Sequence, residues 1–509
     1  MPWQHYDISM LIAAGVVLSL AMQAPPTGLA DAYFYFLQGR MLEGRGDVPG
    51  AIAAYRRATE LEPKASAIHA ELAGVYARAG RALDAVSEAE AAIALNATDR
   101  EAHRILGLVQ AALSENTTSG ARQTQLMTDA MTHLEAALVG ARDPGAELTL
   151  GRLQVRTDRL AKAAETLQNF LFDNPGYPEA VMLLAEAQAR TGKIADAIST
   201  IEPLASSPEG QADVQSTLAD LYEQAGRWKD AAAVWGALAV KSTDGSYRMQ
   251  QATALINAGD VAAGRDVLLA VVKTRATDPS AWYLLAQAER RLNNLDAAEA
   301  AAKRIIEIDM NDPRGPLAVA EAREARRDFA GVIATLQPVY DARRVSAKAD
   351  DEVFGFVALT LANAYEAQNQ IGNAEQVLRT LIARNATDEV ALNALGYMLA
   401  DRGLKLDEAV GFIKRALAAD PANPSYLDSL GWAYFKQGKL SDALPPLEQA
   451  AKTASTSSMV LDHYGDALFA AKKYRDAAEA FTRALSGDRD GIDAATVIKK
   501  RDKAKELAK

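Results

Sequence analysis

One pattern constrains this chain before anything else: the order of small and large residues repeats with a period of 34 residues. In LDSLGWAYFKQGKLSDALPPL, residues 427–447, Leu430-Gly431 is followed by Tyr434, Gly438, Ala443, Leu447 and, just beyond, Ala450. One unit earlier, with one inserted residue, the series reads Leu395-Gly396, Leu399, Gly403, Ala409, Ile413, Ala416 and Pro421. One unit later it reads Tyr464-Gly465, Leu468, Lys472, Ala477, Phe481 and Ala484. The same series appears near the start as Gly39, Leu42, Gly46, Ala51, Tyr55, Ala58 and Pro63, and in mid-chain as Leu218-Ala219, Tyr222, Gly226, Ala231 and Trp235. Numbered within a unit, positions 4, 7, 8 and 11 share one helical face, and positions 20, 24 and 27 share another. The small residues at 8, 20 and 27 let two helix backbones approach, and the larger ones at 4, 7, 11 and 24 fill the space between them. Position 15, often glycine, suits a left-handed end to the first helix, A. Position 32, often proline, closes the second helix, B. A single pair cannot bury its apolar stripe alone, so each unit needs its neighbours. A leucine at Gly431 is expected to overpack the A–B contact. Pro445 and Pro446 are expected in the first turn of helix B, where their missing N–H groups would be unpaired anyway.

This pattern resembles the tetratricopeptide repeat (TPR). The resemblance covers roughly residues 32–490 in about thirteen units. It implies an all-α fold, a right-handed superhelical solenoid of stacked helix-turn-helix units. The residues agree: the apolar half of the composition is dominated by alanine and leucine, which favour helix, and β-branched runs bounded by turn residues are nearly absent. Two departures from the period organise the chain. The third unit begins at HRILGLVQ and reaches its second helix only at AMTHLEAAL, because LSENTTSGARQTQLM inserts about eleven residues as a loop or a helix extension. Residues 341–354, DARRVSAKADDEVF, are charged and out of phase. The expected organisation is therefore a signal peptide or anchor at 1–30 and an N-terminal array at 31–340. A connector at 341–354 leads to a C-terminal array at 355–490, and 491–509 form a polar capping helix.

Residues 10–22, MLIAAGVVLSLAM, are an uninterrupted apolar run shorter than the roughly 20 residues that span a membrane. Pro25 and Pro26 break any helix after it, and Gly28 and Ala30 are small residues suited to signal peptidase, so a cleaved export signal is expected. The alternatives are an uncleaved anchor, which would be the only route to a membrane, and a buried first helix. A net charge of −11 repels phosphate backbones and gives nucleic-acid binding little support. The basic end KKRDKAKELAK reads as a solvated terminal helix. The absence of cysteine excludes disulfides, thiol nucleophiles and acylation at a lipoprotein cysteine.

The search for chemistry finds no catalytic constellation, so the chain reads as a non-enzyme with no cofactor and no metal. The five histidines form no HxxxH, HxH or HExxH arrangement. His69 and His103 share position 4 of adjacent units, which favours packing or a groove role over metal ligation. The segment DRDGID at 488–493 lacks the ligands and closing glutamate of a calcium loop and reads as a turn.

In TPR proteins the A helices line a concave groove, which positions 2, 5, 9, 12 and 13 face. The resemblance therefore implies a protein or peptide partner at Asn393, Tyr397, Asp428, Trp432, Phe435, Lys436, Asp462, Asp466 and Phe469. Rigid aromatics beside a few charges make peptide hot spots, although Trp432 and Phe435 could equally pack against the next unit. Tyr283, Arg290 and Arg291 form a second cluster that could hold an acidic partner. Chaperone-tail clamps of this family carry lysine at position 5. The residues aligned there are Phe36, Ala70, Arg104, Met182, Tyr283, Leu359, Asn393, Asp428 and Asp462, so that recognition is not expected.

The run from LNALGY through LDSLGW to HYGDALF is also similar to the C-terminal repeats of bacterial envelope TPR proteins. One such group is the lipoprotein adaptors that present substrates to a carboxyl-terminal processing protease. That similarity implies an exported adaptor of the bacterial cell envelope. The alternative is a cytoplasmic or membrane-anchored TPR subunit of a larger complex.

Overall fold

The computed structural model describes residues 28–207, 211–242, 245–346 and 352–509. The apolar run at 10–22 and most of the expected leader lie outside them. Among the described residues the chain forms helices joined by short turns, with no strand. The helix ends follow from local chemistry. Asp47, Asp99, Asp143, Asp278, Asp388 and Asn423 each accept a backbone N–H of the first turn that would otherwise be orphaned. Several A helices begin on proline, as in Pro144–Arg156, Pro178–Arg190, Pro279–Arg291 and Pro424–Lys436.

Position 15 does what its glycine predicts. Gly438 is left-handed at φ 73, its N–H reaches Phe435 O at 2.9 Å, and Lys439 N–H reaches Tyr434 O at 2.9 Å. Those two bonds close helix A and turn the chain directly into helix B. Asp158, Asn293, Arg327, Asn369 and Lys472 occupy the same place with φ between 58 and 63. The backbone requirement thus outlasts the glycine that usually satisfies it.

Contacts divide the chain into two compact units, one up to Tyr247 and one from Arg248. The connector read from the sequence at 341–354 falls within the second. Helix Phe329–Ser346 precedes residues 347–351, which are outside the described residues, and helix Glu352–Ala367 follows them. In the first unit, a Cβ on Gly39 would lie 2.7 Å from the Tyr55 ring, and one on Gly107 or Gly151 equally close to Leu134 or Leu167. In the second unit Gly396 meets Ile413, Gly431 meets Leu447 and Gly465 meets Phe481 in the same way. The position-8 to position-24 contact is therefore real and tight in both units.

One local expectation takes its helix-extension form, and another is overturned. The third-unit insertion is mostly helix: Arg100–Glu115 and Ala121–Ala137 are both lengthened, leaving only 116–120 between them. Thr117 Oγ1 and Asn116 Nδ2 cap the first of these on Leu113 O and Ala112 O. Pro445 and Pro446 are not in a first turn. Helix Leu440–Thr453 starts directly after Gly438 and Lys439, which puts both prolines in its interior. There they cannot donate to the carbonyls of Ser441 and Asp442, and the helix persists because Ala443, Leu447 and Ala450 are completely buried. Helix Ala494–Leu507 packs against the last B helix through Val497 and Ala504, both buried. No helix among the described residues is long and apolar enough to cross a membrane.

Candidate functional site

The A helices Glu389–Asp401, Pro424–Lys436 and Ser458–Ala470 lie side by side in the second unit, and their groove positions bring most of the expected residues together. Trp432 is buried rather than open. Its ring stacks on His463 at 4.0 Å and on Phe435 at 5.1 Å, and Nε1 donates to Asp401 Oδ1 at 3.1 Å. The packing alternative therefore describes Trp432. Phe435 forms the outer, half-buried layer of the stack. Lys436 donates to Asp401 O at 2.8 Å with its ammonium 4.9 Å from the Trp432 ring, which holds a cation against that aromatic face.

Beneath this stack, Asp428 is almost fully buried and accepts from His463 Nδ1 at 2.9 Å. Tyr397 sits 6.2 Å from the His463 ring, its hydroxyl meeting Met459 Sδ at 3.6 Å. Burial, with the carboxylates of Asp401, Asp428 and Glu366 nearby, pushes the Tyr397 phenol up, so it stays neutral. One unit on, Lys500 bridges Asp462 at 2.9 Å and Asp466 at 2.7 Å. Burial pushes the Asp466 carboxyl up even so, while the two acids together raise Lys500 against its own burial. One ammonium is thus shared by two acids. Asn393 Oδ1 and Asp462 Oδ1, both at position 5, are buried without a hydrogen-bond donor. Phe469 is half-buried with its edge against Tyr474.

The second cluster is not assembled for an acidic ligand. Arg290 donates to Gln287 and lies 3.4 Å from Glu321, Tyr283 faces Arg314, and Arg291 alone of the three is exposed.

Sequence reasoning missed three participants. Asp401 stands at position 13 and could have been found by register, while His463 is one of five histidines and no motif around it marks it. Lys500 lies in a tail read as solvated, yet it turns inward onto the two aspartates. The position-4 histidines behave alike: Nε2 of His69 and of His103 each meets a turn carbonyl, Pro63 O and Ala97 O, at 3.2 Å. Their Nδ1 atoms meet Glu88 at 2.7 Å and His133 at 2.9 Å, so adjacent units solve the same packing position with different partners. At 488–493, Asp488 caps Ser458 and Asp493 caps Thr496, so both carboxylates serve the turn. No cluster of three or more metal-ligating side chains occurs among the described residues.

A family profile described as "Tetratricopeptide repeat" matches residues 36–99, 148–210, 249–313 and 359–424, together just over half of the chain. With the helix pairs and their register in place, the chain belongs to the tetratricopeptide repeat family, whose repeats make protein-interaction scaffolds. A second profile, "Anaphase-promoting complex, cyclosome, subunit 3", matches residues 402–484. A TPR repeat-containing protein of Pseudomonas aeruginosa is 46% identical over 85 residues, which is 17% of this chain and 14% of that protein. The chain thus matches only a small part of that relative's length. Among solved structures, the APC/C hetero-tetramer Cut9-Hcn1 aligns over 93% of this chain and 96% of its own at 13% identity, with TM-score 0.39. Yeast Tom70 aligns over 94% and 96% at 14% identity with TM-score 0.35. Naa15/Naa10 bound to HypK-THB aligns over 94% and 77% at 12% identity with TM-score 0.40.

Proposed function

We propose that this chain is a non-enzymatic adaptor of the bacterial cell envelope that holds a protein or peptide partner against the A-helix face of residues 389–507. The observation that carries the reading is the stack His463–Trp432–Phe435, ordered by Asp428, Asp401 and Lys436. Neither aromatic takes part in the position-8 to position-24 contact, although Phe435 also packs against buried Ala443, Leu447 and Ala467. A ring already held in place loses little freedom on binding, so half-buried Phe435 is a ready anchor. Support for a bacterial setting comes from the stretch shared with the Pseudomonas aeruginosa protein. Export rests on the apolar run at 10–22 and the small residues after it.

Affinity capture from the native envelope fraction, with the full chain as bait, tests the partner site. Phe435→Ala should lower the melting temperature somewhat, since the ring also packs on Trp432 and Leu447, yet lose the captured partner at a temperature where circular dichroism shows the chain fully folded. Recovery undiminished by that change would sink the site. Sequencing the mature N-terminus tests the setting. A start near Asp31 supports export, and a start at Met1 favours a cytoplasmic or membrane-anchored subunit.

A further inference from the structure

In the first unit, the A helices Pro178–Arg190 and Ala212–Gln224 leave a recess of about 450 Å³ between them. Its apolar lining is Met182, Leu183, Ala189 and Leu221, and Leu221 is buried. Glu186 and Asp220, both at position 9 of their units, stand exposed at the mouth. Arg190 also lines the recess but is already engaged, with Glu186 at 2.9 Å and Asp158 at 2.8 Å. Asp220 forms no ion pair or side-chain hydrogen bond among the described residues. The burial it does have, and neighbouring Glu223, push its carboxyl up. Glu223 itself accepts from Trp235 Nε1 at 2.8 Å. The recess therefore combines room for one large apolar side chain with a carboxylate that the chain does not neutralise.

We propose that this recess binds a linear, positively charged segment of another protein, one apolar side chain lying over Met182, Leu183 and Leu221 and an adjacent lysine or arginine meeting Asp220. Charge complementarity selects that occupant. An acidic segment would meet Glu186 and Asp220 as like charges, and the one arginine able to receive it is held by two carboxylates. A purely apolar segment would leave Asp220 beside it, further desolvated and still unpaired, at a cost of a few kcal/mol. This surface is on different helices from the 389–507 face and stands or falls separately from it.

The test uses the full chain and two labelled peptides, one of alternating lysine and leucine and one of alternating glutamate and leucine, read by fluorescence anisotropy at low and physiological salt. The lysine–leucine peptide should bind and the glutamate–leucine peptide should bind at least about tenfold more weakly. Asp220→Lys should weaken the lysine–leucine peptide by about tenfold or more, and Met182→Glu should weaken both peptides. Asp220 is exposed and makes no side-chain bond among the described residues, so its variant should melt no lower than wild type. The charge control is Glu90→Lys, the same change on an exposed B-helix site of this unit. Equal weakening by Glu90→Lys and Asp220→Lys would reduce the effect to the net charge of −11 and overturn the proposal. No weakening by Asp220→Lys would overturn it too. Phe435→Ala should leave this binding unchanged, which separates it from the C-terminal reading.

Discussion

Replacing Gly431 with alanine sets two effects of opposite sign against each other, and the structure says which wins. Inside a helix, alanine is about 1 kcal/mol better than glycine, since less backbone freedom is lost on folding. Yet a Cβ at Gly431 would sit 3.0 Å from both Leu447 Cδ2 and Ala443 O, and closer still to Leu447 Cγ. Carbon atoms in ordinary contact lie about 3.5–4.0 Å apart, so Leu447 must retreat at its branch point rather than at a free end. Leu447 and Ala443 are both completely buried, and the Ala443 carbonyl is fixed in its helix. Overpacking of this kind costs about 1–3 kcal/mol, and with backbone on one side the upper half of that range applies. The net expectation is a loss of about 1–2 kcal/mol. Gly411, inside helix Leu406–Ala419, has nothing within 4 Å of its would-be Cβ. Gly411→Ala should therefore stabilise by about 0.5–1 kcal/mol.

Urea unfolding followed by circular dichroism would compare the variants. Hydrogen exchange in helices Pro424–Lys436 and Leu440–Thr453 should accompany it, because an array need not unfold in one step. A third variant isolates the contact. Leu447→Ala alone should cost about 2–5 kcal/mol. Adding Gly431→Ala to it should cost little further, because the Leu447 branch is gone and alanine's helix preference offsets the remaining approach to Ala443 O. Gly431→Ala stabilising as much as Gly411→Ala would refute the argument, and with it the claim that position 8 is set by close approach to position 24.

Glu299 predicts an acid-sensitive element in the second unit. Burial pushes it up, but hydrogen bonds from Arg323, Lys303 and Arg326 outweigh this and hold it at about 2, below its ordinary 4.5. Its folded value is lowered, so its stabilisation is present above 4.5 and disappears as pH falls towards 2. Glu299→Gln should flatten that part of the stability–pH curve, and an unchanged curve would contradict the assignment. Pro446→Ala restores an N–H to the middle of Leu440–Thr453 and should raise the unfolding midpoint, by about 1–2 kcal/mol in stability. A drop on that substitution would mean that the proline ring contributes packing worth more than the hydrogen bond.

The repeat was legible because its period encodes backbone and packing together: a left-handed residue every unit ends helix A, and a small residue at position 8 admits position 24. Lys472 and Asp158 show how far this goes, since φ stays positive where the letter has changed. What the period does not encode is the direction of a side chain that the repeat leaves free. Trp432 and Phe435 are three residues apart and looked alike in sequence, yet one is buried in the stack and the other forms its outer layer. The difference is His463, a full unit away, tied to Asp428 across 35 residues. Pro445 and Pro446 misled for a related reason. A local rule placed them where they do least harm, but helix B begins as soon as Gly438 and Lys439 close helix A, and tertiary burial then carries the prolines inside it.

The same division between tile and free position orders the charges. On B helices, Glu375, Glu408 and Glu448 are held low by Lys405, Arg379 and Lys452 respectively, so these acids are neutralised within the chain. On A helices, Glu101 at position 2 is held low by Arg104, but Asp220, Glu324, Glu366 and Asp466, all at position 9 or 12, are pushed up by burial, Glu366 even with Arg402 at 3.6 Å and Asp466 even with Lys500 at 2.7 Å. For Asp220 and Glu324 no cation among the described residues stands within ion-pair distance, and desolvating a carboxylate without one costs stability, so a chain folding for itself alone gains nothing from their placement. A basic partner would remove that cost on arrival, and its affinity would then be strongest above the raised carboxyl values and weaken as the pH falls through them. Asp220 and Glu324, which form no ion pair among the described residues, thus supply a reason, independent of the aromatic stack, to look for the binding surface on the A helices.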